Sequence, residues 1–140
     1  MTARLEEWES RFADLIEAAR NVPFDWGSHD CVTFAADAVE AVTGVRHWMA
    51  DHDATTADEA ADAIAAAAPG RTLTAAVTLV LGHHIPVVSA LRGDIVIGRW
   101  AYGAGALGVV TGAAIAAPGP YGLLFAPRDD ARRAWRNGDR

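Results

Sequence analysis

The sequence predicts an α+β domain with helices packed on a small antiparallel sheet. Residues up to Leu81 carry apolar side chains at helical spacing, with capping residues at the ends of each run. From Gly93 onward the pattern changes to short β-branched runs bounded by glycine and proline. Helices first and strands afterwards give an α+β architecture rather than a βαβ one. The 140 residues suit a single domain, 1–140, large enough for a core without metal or disulfide staples.

The first helix belongs to residues 1–22. Leu5, Trp8, Phe12, Leu15, Ile16 and Ala19 share one face, and the run ends at Asn21–Pro23. Residues 23–28 form a loop. Asp30 is a good N-cap, Cys31–Thr43 reads as the second helix, and Gly44 stops it. Thr56 and Glu59 make a capping-box pattern that opens an alanine-rich helix running to about Ala68, closed by Pro69-Gly70. Thr72–Leu81 is a further short helix ended by Gly82. Three strands follow, at Gly93–Trp100, Ala106–Gly112 and Tyr121–Pro127. The tail 128–140, "RDDARRAWRNGDR", is basic in patches and reads as solvated, either a helical turn or a last edge strand.

Composition removes several function classes. A net charge of −6 disfavours nucleic acid as a partner, because binding there needs a basic face. Trp100–Pro127 is an uncharged stretch of 28 residues, but six glycines and three prolines break it into strand-length pieces, so no membrane span is expected. "TARLEEWESRF" is too charged for a signal peptide. One cysteine makes no internal disulfide. Gly103, Gly105 and Gly108 spell G-x-G-x-x-G, yet no helix pattern follows, so no dinucleotide cofactor is expected. His47, Asp51, His52 and Asp53 offer metal ligands at a spacing that fits no common zinc pattern, and no metal is expected. Arg92–Asp94, "RGD", reads as a turn into a strand.

The chemistry concentrates in "WGSHDC", Trp26–Cys31. A thiol in the first turn of a helix faces the positive end of the macrodipole, which lowers its pKa and favours a nucleophile. A lone cysteine is also an ordinary small buried residue, and spacing alone leaves both readings open. His29, His83 and His84 are the candidate bases; Trp26, Gly27 and Asp30 would shape the site. The plain alternative for His29 is a polar loop residue, and for "GHH" a helix C-terminal turn.

"PFDWGSHDCVTFAADAVEAVTG" resembles the opening of the NlpC-type papain-like cysteine peptidases of the cell wall, and "RGDIVIG" resembles their first sheet strand. The whole set is closer still to small phage and prophage tail-associated proteins related to that superfamily. They share W-G-x-x-D-C, an A-L-G-[IV] strand and a G-L-x-F-x-P…RRAWR ending, here Trp26–Cys31, Ala106–Val109 and Gly122–Arg136. The resemblance implies a papain-like (NlpC-type) domain with Cys31 as nucleophile. It also implies a virion tail location after synthesis in the host cytoplasm, with other tail proteins and peptidoglycan as partners. One departure stands out. The active peptidases open the second strand with the general-base histidine, and here Ala106 holds that place. Two functions follow: a catalytically degenerate tail-tip or tail-assembly component, or a cysteine hydrolase cutting peptide bonds in peptidoglycan with a base from elsewhere.

Overall fold

The computed structural model describes residues 2–47, 52–67, 72–100 and 105–139. Among these residues four α-helices precede five strands: α1 Trp8–Ala19, α2 Cys31–Thr43, α3 Ala57–Ala67, α4 Leu73–Leu81, then β1 Ile95–Gly98, β2 Ala106–Val110, β3 Ala114–Gly119, β4 Gly122–Pro127 and β5 Ala131–Trp135. The strands make one antiparallel sheet in the order β4-β3-β2-β1-β5. The α+β class and the antiparallel sheet expected from the sequence are therefore present.

α2 is the central helix, and local chemistry fixes both its ends. Asp30 Oδ1 accepts the backbone N–H of Val32 at 3.0 Å and of Thr33 at 2.9 Å, while Thr33 Oγ1 accepts the Asp30 N–H at 2.9 Å. This reciprocal box satisfies donors that the first helical turn leaves unpaired. At the other end Gly44 takes φ 79°, a left-handed cap that residues with a Cβ adopt reluctantly. Between the caps, nine of thirteen residues are buried. α2 packs on β2 and β3 on one side and on α1 on another, so one core unites Phe12, Phe34, Val39, Val77, Leu107, Val109 and Trp135.

One strand exceeds those the pattern predicts. β3, Ala114–Gly119, is alanine-rich and carries no β-branched alternation, yet it pairs with β2 and along the whole of β4. Ala116 and Ala117 are buried there, and the small side chain of Ala116 lies in the core that α2 packs into. Tertiary pairing overrides the helical preference of alanine. The tail takes the edge-strand form of its two expected ones, and the correction there is its burial. Ala131–Trp135 is an edge strand on β1, with Ile95 opposite Trp135, and Ala134, Trp135 and Asn137 are buried rather than solvated. The Trp135 ring enters the main core and donates Nε1–H to Thr78 Oγ1 at 3.2 Å.

Both sheet edges are protected. On β4 the Leu123 N–H goes to the Arg20 carbonyl at 3.0 Å, and Pro127 ends the strand without a donor. On β5 the Ile85 N–H goes to the Ala134 carbonyl at 2.8 Å, and Arg132 and Arg133 are exposed charges. Blocked donors and edge charges prevent strand addition.

The "RGD" triplet is a turn into β1, and its aspartate is buried. Asp94 Oδ1 pairs with Arg4 Nη2 at 3.0 Å and accepts the Asn137 N–H at 3.0 Å; Oδ2 accepts the Leu91 N–H at 2.9 Å. No helix among the described residues is long and apolar enough to cross a membrane.

Candidate functional site

Cys31 opens α2 directly behind the Asp30 cap and faces β2. A cavity of about 470 Å³ lies over it. Phe24, Trp26, Cys31, Ile64, Leu73 and Ala106 are among its walls, and Asp58 is the one charged side chain among the described residues that line it. Phe24 and Trp26 meet edge to face with centroids 4.7 Å apart, and the Phe24 N–H is tied to the Gly119 carbonyl at 2.8 Å. The loop before α2 is thereby anchored to the β3–β4 hairpin.

The thiol itself does not meet the expectation drawn from its helix position. Cys31 is partly covered as a residue, and the surface it keeps belongs to the cavity. Its sulfur is enclosed by protein, and that loss of hydration pushes the thiol up from 9.0 to about 11. Hydrogen bonding from the backbone at Leu107 opposes the rise, the nearby Asp30 carboxylate adds to it, and the backbone at Cys31 itself opposes it. Desolvation outweighs the two backbone hydrogen bonds, and the thiol is held in its neutral form at neutral pH.

The candidate bases lie elsewhere. His29 is buried, with its ring edge-on to Phe34 at 5.7 Å, and it is not among the residues lining the cavity. Its Nε2 has no hydrogen-bond partner among the described residues. Burial lowers its pKa, against the opposing pull of the Asp37, Asp30 and Asp25 carboxylates. His83 and His84 are exposed after α4. The adjoining Gly82 shares a separate cavity with Thr43, the last residue of α2. Thr43 is about 18 Å along the helix axis from Cys31. Among the described residues that line the Cys31 cavity, none is a histidine.

Ala106 does line that cavity. It begins β2, paired with Gly98, and the next residue is Leu107, whose backbone bonds the Cys31 sulfur.

Asp30 and Gly27 work as structure. Asp30 Oδ2 accepts the Gly27 N–H at 2.9 Å, and Gly27 has φ 85°. A Cβ there would come 2.9 Å from the Ala54 carbonyl oxygen. His52 completes the cluster, and sequence spacing suggested it only as a metal ligand. Its Nδ1 accepts the Ala54 N–H at 3.2 Å, so Nε2 carries the ring proton. Nε2 approaches Asp30 Oδ2 to 2.7 Å, off the line of a straight hydrogen bond. No periodicity or motif signals this contact, which spans 22 residues of sequence. Asp53 is exposed, His47 half-buried, and Asp51 lies outside the described residues, as does Gly103. Among the described residues no group of three His, Cys, Asp or Glu side chains could hold a metal ion. Gly105 and Gly108 belong to the approach to β2 and to β2 itself, which continues into an antiparallel strand and not a helix.

Residues 3–137 match the model of a domain of unknown function, DUF6950. The chain belongs to the DUF6950 family. Neither a curated protein nor a solved structure matches it. In this DUF6950 domain the matched region takes in the whole Cys31 site together with all four helices and all five strands.

Proposed function

We propose that this DUF6950 domain is a papain-like, NlpC-type domain without hydrolytic activity, retained as a structural component of a phage tail. One observation carries the loss of activity. Cys31 and Ala106 line the same cavity, and no described histidine lines it with them. Acyl transfer from an amide needs a group that takes the thiol proton and returns it to the leaving amine. A neutral thiol in a cavity that no described histidine lines has neither. The cysteine-led helix packed on an antiparallel strand supports the NlpC-type reading. The tail location rests on the resemblance of the four sequence elements.

The test is the rate of Cys31 alkylation by iodoacetamide against pH, for the wild type and Ala106→His. The wild-type rate should keep rising toward about pH 11. Ala106→His should shift that titration downward by supplying the missing imidazole. A wild-type plateau near neutrality, with peptidoglycan fragments released by the wild type and not by Cys31→Ala, would make the protein a hydrolase instead. Mass spectrometry of purified virions from an inducible host carrying the gene addresses location, and absence from tailed particles would remove the tail assignment.

A further inference from the structure

We propose that α3 is a hinged cover over the Cys31 cavity and that the His52–Asp30 contact is its latch. α3 supplies a whole wall of the cavity through Ala57, Asp58, Ala60, Ala61 and Ile64. Its own attachment is slight. The sequence ADEAADAIAAA contains one large apolar side chain, Ile64, which is half-buried against the core. None of the described side chains of α3 is fully buried, whereas α2 buries nine. Methyl groups remove little area from water, so α3 owes its helicity to alanine propensity more than to packing. Its N-terminal capping is also local. Thr56 Oγ1 accepts the Glu59 N–H at 3.1 Å, and the Thr55 hydroxyl donates to the Glu59 carboxylate at 3.3 Å. These bonds travel with the helix when it lifts. Few buried apolar contacts mark a segment that opens well below the free energy of global unfolding.

The chain entering α3 is held much more firmly. Ala54 is buried, its carbonyl faces Gly27, and its N–H holds the His52 ring. That ring reaches Asp30 Oδ2 at 2.7 Å. Asp30 is the N-cap of α2 and directly precedes Cys31, so the latch closes on the residue beside the thiol. Releasing it frees the segment that carries the cavity wall. The inference concerns access to the cavity and stands whether or not Cys31 hydrolyses any bond.

The experiment compares His52→Ala and Ile64→Ala with the wild type, by Cys31 alkylation at a fixed pH and by amide hydrogen exchange. Loss of a contact to a charged group should speed alkylation about tenfold in His52→Ala. Exchange should quicken over residues 57–67 and stay unchanged in α2. Ile64→Ala, which loosens the other side of the helix, should act in the same direction. The alkylation pH profile should move toward lower pH together with the faster α3 exchange, since lifting α3 rehydrates a thiol that burial holds neutral. Wild-type α3 amides protected as well as those of α2, or alkylation unchanged in both variants, would overturn the proposal. So would acceleration spread equally over α2, which would make His52 a general stabiliser. A shifted pH profile with unchanged α3 exchange would count against the inactive reading of Cys31 and against the latch together.

Discussion

Cys31 and His29 stand two residues apart and meet different surroundings. The thiol faces Leu107 and the cavity, and the imidazole turns to Phe34 with one nitrogen unpartnered. Burial keeps both neutral, by raising the pKa of the acid and lowering that of the base. His29 gives the fold an acid sensitivity. Its folded pKa lies below the ordinary 6.5, so the unfolded chain binds the proton more readily. Its contribution to stability is full above pH 6.5 and is lost as pH falls through the folded value. Asp37 shifts upward and works in the opposite sense, because the folded state then takes that proton more readily. Urea unfolding midpoints should therefore drop between about pH 7.5 and about pH 5, and His29→Phe should lose less over that interval. An equal loss in both proteins would show that His29 is not the responsible group.

Among the elements, α2 and α4 are those whose ends and length are legible in the sequence. Asp30, Thr33 and Gly44 act within a few residues of the backbone groups they satisfy, so their effect is written locally. The capping pattern of α3 is half legible. Thr56 caps as expected, but the Glu59 carboxylate bonds Thr55 in place of the reciprocal contact. β3 and β5 carry no such local signal. Each becomes a strand because a neighbour offers an edge, and the arginines of β5 mask the burial of Trp135. Trp135 is the main anchor of β5. Trp135→Ala should cost about 3–5 kcal/mol in denaturant unfolding, as large aromatic truncations do in closed cores. Trp135→Phe, which loses the bond to Thr78 and part of the ring, should cost distinctly less. Comparable small effects from both would mean that β5 is a dispensable edge.

The whole molecule is closed by Asp94. Besides Arg4 and Asn137 on its carboxylate, Arg4 Nε donates to the Asn137 carbonyl at 3.0 Å, and Asn137 Nδ2 donates to the carbonyls of Gly93 at 2.9 Å and Ala38 at 3.3 Å. The guanidinium also lies 4.2 Å over the Trp8 ring. One network thus joins the start of α1, the middle of α2, the turn into β1 and the segment after β5. The Arg4 and Asp94 side chains are 6% and 0% exposed, so removing one partner strands a buried charge. Asp94→Ala should cost about 3–5 kcal/mol by chemical denaturation. A cost under about 1 kcal/mol would mean that water reaches Arg4 and that the network is a surface one.

By itself the sequence determined the α+β class, the boundaries of α2 and the place of Cys31 at a helix start. These depend on periodicity, on caps a few residues away, and on the identity of single positions. Tertiary structure alone decided that the thiol is desolvated, that His29, His83 and His84 do not share its cavity, and that His52 reaches Asp30. It also decided that a charged tail becomes a strand and that Asp94 is the hub of the molecule. Burial and long-range pairing arise only when distant segments exclude water together, and no local pattern records which segments will meet.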